Sequence, residues 1–302
     1  MRAGDFQRAW EINDLDLAQR VAERAPKHEG PRHLQQIWRG EPLRDARVLV
    51  RCYHGLGDTI QFIRFAKPLR RIAREVTVWA QPELLRRIQD VEGVDHVLPF
   101  HDGTCDAKYD VDIEVMELAH ALRATPCAIS QAVPYLRAPL RSSHVAYPAL
   151  EPECFHIGLV WRAGDWDLRR SVDLARLAPL AHIPGIRLHL LQPTQVSERP
   201  IPFPARDRAR SEIADAAAVI AKLDLVITVD TMMAHLAGAM AVPVWTMLCR
   251  DCDWRWGAGE STPWYPGMRL FRQTRSGHWD LVVEQMCAAL AQIVRERTKE
   301  RV

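Results

Sequence analysis

The chain is predicted to be an α/β protein built from two Rossmann-like halves, and three observations predict it. An apolar run, Arg47 to Cys52, ends in the glycine turn Gly55-Leu56-Gly57-Asp58. A second apolar run, Leu223 to Val229, ends in Asp230-Thr231. Between them lies a stretch, 134 to 155, that holds Pro134, Pro139, Pro148 and Pro152. Strand, tight turn and helix in alternation is the pattern of a parallel sheet, and the proline stretch reads as a linker.

The elements follow in order. Residues 1 to about 30, with Gly4-Asp5-Phe6-Gln7-Arg8-Ala9-Trp10 followed by Leu17, Val21 and Ala22, read as helical. Residues 26 to 42 read as a connector. Val48 to Cys52 is then a strand and 59 to 74 a helix. Val76 to Ala80 is a second strand, followed by a helix from Pro82 to Gln89. Val94 to Phe100 and Tyr109 to Val115 are the next strands, and 116 to 123 a short helix. After the linker the pattern restarts with a strand from Phe155 to Trp161, a polar loop and a helix over 173 to 181. Strands at Ile186 to Leu191, Leu225 to Val229 and Val242 to Leu248 alternate with helices at Ile213 to Leu223 and Thr231 to Met240. A helix from about 278 to 295 closes the chain. The predicted domains are a helical extension over 1–30, an N-terminal Rossmann-like domain over 31–140, and a C-terminal one over 141–302.

Composition narrows the function. The 302 residues are 48% apolar, with 40 basic against 38 acidic side chains and a formal charge of +2. No basic tract with interleaved aromatics is present, so nucleic acid is not an expected partner. No window reaches the length of a membrane span, and the N-terminus lacks an apolar signal core, so a cytoplasmic protein is expected. The seven cysteines lack a disulfide framework, and Cys249-Arg250-Asp251-Cys252 lacks the second ligand pair of a zinc site. No metal and no cofactor is expected. Asp-x-Asp pairs at 110/112, 165/167 and 251/253 are the weakest of metal signals.

Four segments could carry chemistry. In the first, Gly57 and Asp58 lie where the strand 47–52 meets its helix, at the carboxyl end of a parallel strand, where open α/β sheets bind ligands. Asp58 can serve there as a helix cap or as a base. In the second, Asp230, Thr231, Met232 and His235 surround a helix N-terminus, whose unpaired amides and dipole favour anions. Asp230 can also cap that helix while His235 packs inward. The third is the loop after Trp161, with Arg162, Gly164, Arg169 and Arg170, where arginine forks could hold phosphate oxygens. The fourth is aromatic: Asp251-Cys252-Asp253-Trp254-Arg255-Trp256, then Pro263-Trp264-Tyr265-Pro266. It reads either as a lid or base-stacking wall or as core packing.

Taken together and in order, Gly-Leu-Gly-Asp-Thr-Ile-Gln-Phe, Gly-Leu-Val-Trp with Arg-Arg-Ser, Val-Asp-Thr with Ala-His-Leu-Ala-Gly-Ala, and Asp-Trp-Arg-Trp with Pro-Trp-Tyr-Pro resemble bacterial glycosyltransferases. The likeness is to tetratricopeptide-linked relatives of the heptosyltransferases in glycosyltransferase family nine. The first thirty residues resemble half a tetratricopeptide repeat. The resemblance implies a GT-B fold, two Rossmann-like domains facing across a cleft, with a terminal crossover helix. It implies a nucleotide diphospho-sugar donor on the C-terminal domain and a hydroxyl acceptor (glycan, lipopolysaccharide-type, lipid-linked or protein) on the N-terminal one. Peripheral contact with a membrane is compatible with it. Asp58 would be the general base of an inverting transfer. Gly57, Arg162, Gly164, Arg169 or Arg170, Asp230, Thr231, Met232 and His235 would bind the donor, with Arg170 and the Thr231 helix mouth holding the diphosphate. Where such relatives often carry Glu-Gln before the glycine turn, this chain has Tyr53-His54. A catalytically silent nucleotide-sugar-binding scaffold and a nucleotide-sugar epimerase are the alternative readings.

Overall fold

The computed structural model describes residues 1–137, 150–198 and 200–300. Most of the proline stretch, including the expected boundary at 140/141, lies outside the described residues. The chain divides into two compact units, Met1–Arg137 and Ala138–Val302, and the N-terminal helix belongs to the first of them.

The first unit is built on a four-stranded parallel sheet of order β3-β2-β1-β4. Its strands are β1 (Arg47–Arg51), β2 (Glu75–Ala80), β3 (His96–Pro99) and β4 (Val111–Glu114). Three helical pieces join β1 to β2 and β2 to β3: α2 (Leu56–Phe62), α3 (Ala66–Arg70) and α4 (Leu85–Ile88). The expected continuous helix over 59–74 is thus corrected. It starts earlier, at Leu56, and a 3-10 turn at Ile63–Phe65 breaks it. Pro68 is the cause, because it has no N–H to give to the Arg64 carbonyl.

The step from β3 to β4 reverses direction across the sheet. A right-handed crossover must then pass over the opposite face. Residues 100–110 contain no helix there, so the face is covered by aromatic and charged groups instead. Phe100 packs on Trp79 with ring centroids 4.7 Å apart, and Arg51 donates to the Tyr109 hydroxyl at 3.1 Å. The connector adds Arg32, whose guanidinium lies 4.6 Å from the centre of the Phe100 ring. Beyond β4 the unit has α5 (Leu118–Ala121) and α6 (Pro126–Gln131), the latter not anticipated. Helix α1 (Phe6–Ala22), capped by Asp5, buries Phe6 and Trp10. The Trp10 indole donates to the Ala124 carbonyl at 2.9 Å, and Asp14 meets His120 and Arg123 at 2.9 and 2.7 Å.

The second unit has a six-stranded parallel sheet of order β10-β9-β8-β5-β6-β7. Its strands are β5 (Phe155–Val160), β6 (Ile186–Leu190), β7 (Arg206–Asp207), β8 (Leu225–Val229), β9 (Val244–Leu248) and β10 (Met268–Arg272). Strands β7 and β10 were not anticipated. All residues of β5, β8 and β9 are buried, which is why they read as apolar runs without alternation. Helices α7 (Ile213–Ile220) and α8 (Met232–Ala239) pack together, and α9 (Asp280–Glu300) lies on a 3-10 segment at Leu174–His182. That segment was expected to be α-helical over 173–181. Pro179 inside it removes an amide donor and favours the tighter turn.

Candidate functional site

Each sheet reverses its winding once, between β1 and β4 in the first unit and between β5 and β8 in the second. In open α/β sheets the crevice at the carboxyl ends of such a strand pair is where ligands bind. All ten candidate residues fall at these two places.

In the first unit, residues 52–55 leave β1 and enter α2 with Gly55 as N-cap. The Gln81 amide donates to the His54 carbonyl at 2.7 Å, and Thr59 donates to Gln81 at 3.0 Å, so the turn is tied to the end of β2. Gly57 and Asp58 lie within the first helical turn. Asp58 Oδ2 accepts the Gly55 amide at 3.1 Å, the acidic half of a capping box. Gly55 has an ordinary backbone (φ −69°), but a Cβ on it would stand 3.3 Å from Asp58 Oδ2 and crowd the carboxylate. Asp58 is half-buried. Beside it, at the end of β4, stands Glu114, which sequence reasoning passed over. Burial pushes its carboxyl well above the usual carboxylate range, and Glu117 and Asp58 add to the effect. The available signal was a glutamate ending the buried run Val111–Glu114.

In the second unit, Gln192 accepts the amides of Trp161 and Arg162 at 2.8 and 2.9 Å and holds the start of the loop after β5. The loop closes on itself: Val172 donates to the Trp161 carbonyl and Ala163 to the Ser171 hydroxyl. Three arginines lie on it, and they differ. Arg162 is paired with Glu198 at 3.1 Å and donates to the Pro193 carbonyl. Arg169 is exposed and forks onto Asp167 at 2.8 and 3.0 Å. Arg170 reaches the switch point itself. Its Nη1 donates to the Asp230 carbonyl at 2.8 Å, its guanidinium lies 4.0 Å over the exposed Trp166 ring, and its buried Nε has no partner. Gly164 is exposed on the same loop.

Asp230 follows β8 and is buried. Burial raises its carboxyl, while Trp256, Arg255 and Arg170 pull it down. Thr231 caps α8 through its hydroxyl, which accepts the Met233 amide at 3.2 Å. His235 is 2% exposed. It stacks on Trp256 at 5.3 Å and pairs with the Tyr265 hydroxyl at 2.9 Å. The aromatic segment is therefore the backing of this helix mouth. Gly238 permits it, since a Cβ there would stand 2.5 Å from the Tyr265 ring.

Four of the six Asp-x-Asp acids pair with an arginine. Asp110 pairs with Arg47 at 2.6 Å, Asp112 with Arg51 at 2.9 Å, Asp167 with Arg169 and Asp253 with Arg255 at 3.0 Å. Among the described residues no group of three His, Cys, Asp or Glu side chains is arranged to hold a metal ion. None of the described helices is long and apolar enough to cross a membrane. None of the seven cysteines is joined in a disulfide.

Residues 209–292 match glycosyltransferase family 9 (heptosyltransferase). The chain is 24% identical over 286 residues to "Protein FlbA" of Caulobacter vibrioides, covering 84% of this chain and 48% of the relative. It thus spans about half the length of that curated relative. Among solved structures, the glycosyl transferase family 9 protein of Veillonella parvula aligns over 84% of this chain and 98% of its own, with a TM-score of 0.58 at 14% identity. The ADP-heptose lps heptosyltransferase II of E. coli aligns over 83% and 99%, with a TM-score of 0.54 at 15% identity. The glycosyltransferase TibC of enterotoxigenic E. coli H10407 aligns over 78% and 66%, with a TM-score of 0.53 at 12% identity. With its two parallel sheets the chain has the α/β fold of GT-B heptosyltransferase structures, and residues 209–292, from α7 into α9, carry the likeness to glycosyltransferase family 9.

Proposed function

We propose that this protein is an inverting glycosyltransferase that moves a sugar from a nucleotide diphospho-sugar to a hydroxyl acceptor. The observation that carries the reading is Arg170. An arginine whose buried Nε lacks a partner stands against the Asp230 carbonyl, beside a helix N-terminus, at the winding reversal of the sheet. A buried guanidinium donor without an acceptor is costly, and a phosphate oxygen would satisfy it. The family 9 match, residues 209–292, includes β8, the Asp230–Thr231 turn and α8. The relative TibC was solved in complex with ADP-D-beta-D-heptose, which supports a nucleotide diphosphate-linked sugar as the donor class.

In this reading the diphosphate lies on Arg170 and the start of α8. Thr231 already occupies the amides of Met233 and Ala234, so the amide offered to the anion is that of Met232, the first helical residue. The Trp166 ring, held under the Arg170 guanidinium, offers a flat surface for the base or the sugar. Arg162 and Arg169 keep their carboxylate partners and shape the loop. His235, Asp230 and the aromatic backing hold α8 in place. Asp58 takes the proton of the acceptor hydroxyl as its oxygen attacks the anomeric carbon. The carbon–diphosphate bond breaks on the opposite face, and the negative charge that grows on the leaving diphosphate is met by Arg170 and the helix mouth.

The test is a panel of nucleotide sugars scored first by thermal shift and then by turnover with sugar and glycolipid acceptors. Stabilisation by one donor and its nucleoside diphosphate, with product formed only when acceptor is present, is the expected result. Product from donor alone would convert the reading to epimerase. Binding without turnover would convert it to scaffold.

A further inference from the structure

Strand β4 ends in a carboxyl group that the proposed reaction leaves without a task. Glu114 is the last residue of the strand, in register with Arg51 of β1, so it emerges at the same edge as the 52–55 turn. It is 1% exposed. Its Oε2 accepts the Met116 amide at 2.7 Å and stands 3.8 Å from His54 Nε2. The Tyr53 backbone amide also faces the carboxyl, but Oε1 is buried and makes no hydrogen bond of good geometry. The ionisable groups that face it are Asp58 from α2, Cys52 and His54 from the end of β1, and Glu117 from the following turn. Glu117 in turn has Arg20 of α1 at 3.6 Å. Among the described residues no arginine or lysine forms an ion pair with Glu114.

We propose that Glu114 is a positioning residue, a fully buried carboxylic acid that stays neutral at the end of β4 and leaves the base role to Asp58. Two carboxyl groups at such a place do not both ionise, and the more buried one keeps the proton. A proton removes the charge instead: a buried oxygen that nothing pairs costs far less on a neutral acid than on a carboxylate. The neutral acid still accepts the Met116 amide and still borders His54, so it holds the turn without competing for a proton.

The catalytic meaning rests on Asp58 as base, but the protonation states can be read without any turnover. The experiment is a carboxyl-carbon NMR titration of the full chain, wild type against Asp58→Asn and Glu114→Gln. In the wild type the Glu114 resonance should titrate clearly above the ordinary carboxylate range. Removing the neighbouring charge in Asp58→Asn should lower its midpoint by on the order of one pH unit. Glu114→Gln keeps the shape of the neutral acid and should leave thermal stability near pH 7 within error of wild type, which loss of a working carboxylate charge would not do. A Glu114 midpoint in the ordinary range, or one indifferent to Asp58→Asn, overturns the proposal. The wild-type and Asp58→Asn titrations decide it even if Glu114→Gln fails to fold. If the wild type turns over no donor while the coupling is present, the transferase reading fails and the neutral state of Glu114 stands without its catalytic meaning. If turnover is found and the coupling is absent, this inference fails alone.

Discussion

The two switch points share a topology and differ in charge. Both sheets contain the order 3-2-1-4, and in both the chain leaves a central strand through a short turn into a helix. In the first unit the crevice residues are acids and a histidine: Asp58, Glu114 and His54. In the second they are an arginine, an indole and a helix mouth: Arg170, Trp166 and Thr231–Met232. In the proposed function, one backbone arrangement would present a proton acceptor in one unit and an anion receptor in the other. The lesson is that the parallel sheet supplies the place, and the few residues just past each strand supply the chemistry.

The sharpest way to break the comparison is Asp58→Asn. Loss of a positioned base should lower turnover by roughly 10²–10⁴, while the thermal shift with donor stays within error of wild type. A lost thermal shift would mean that Asp58 belongs with the donor contacts and that the two crevices are not divided by task. Next in size is Arg170→Ala. Donor affinity should fall roughly 10- to 100-fold, the range for a charge-assisted hydrogen bond lost beside a phosphate. Lys at the same position should recover only part of it, because a point charge cannot hold both the Asp230 carbonyl and a phosphate oxygen. Equal donor binding in Arg170→Ala would pass the anion role to Arg162 or Arg169.

Gly238→Ala tests whether the aromatic backing holds the helix mouth. The new Cβ must displace the Tyr265 ring, and overpacking of this kind costs about 1–3 kcal/mol. Urea unfolding should show that loss, together with weaker donor binding. Full stability would mean that α8 and Tyr265 separate freely.

The smallest expected effect is a difference in pH response that belongs to the second unit. His156 and His189 meet at 2.9 Å on neighbouring strands, and both are buried. Burial, then His156 and nearby arginines, lowers His189 from 6.5 to about 4. Below pH 6.5 the unfolded chain therefore takes up a proton that the folded chain refuses. Stability of this unit should fall as pH drops from about 6.5 toward 4 and level off below that. Thermal unfolding followed across that range, wild type against His189→Gln, checks it. An unchanged slope in the variant would assign the acid sensitivity elsewhere.

Much of the fold was legible in the residues. The buried strands β1, β5 and β8 declare themselves as unbroken apolar runs because both faces of a parallel sheet are covered. Helix phasing was less legible near prolines. Pro68 and Pro179 sit inside sequences whose apolar spacing is helical, and only the missing amide decides that the helix breaks or tightens. Strand β10 was hidden behind the aromatic segment, whose tryptophans drew the eye more than Met268–Arg272. Within the candidate site, Gly-Leu-Gly-Asp and Val-Asp-Thr stood out because glycines, acids and strand ends coincide in sequence. Glu114 did not, because its neighbour Asp58 is far away along the chain and only the pairing of β1 with β4 brings them together.

The sequence by itself determined the α/β class, the two strand-turn-helix junctions and the residue types at each. These depend on local periodicity and turn chemistry, which are written in consecutive residues. The tertiary structure decided which of three loop arginines reaches the helix mouth, that His235 is packed between Trp256 and Tyr265, and that a buried glutamate stands beside Asp58. Those outcomes depend on burial and on partners distant in sequence, and a carboxyl or guanidinium acquires its chemical state only when its neighbours and its distance from water are set.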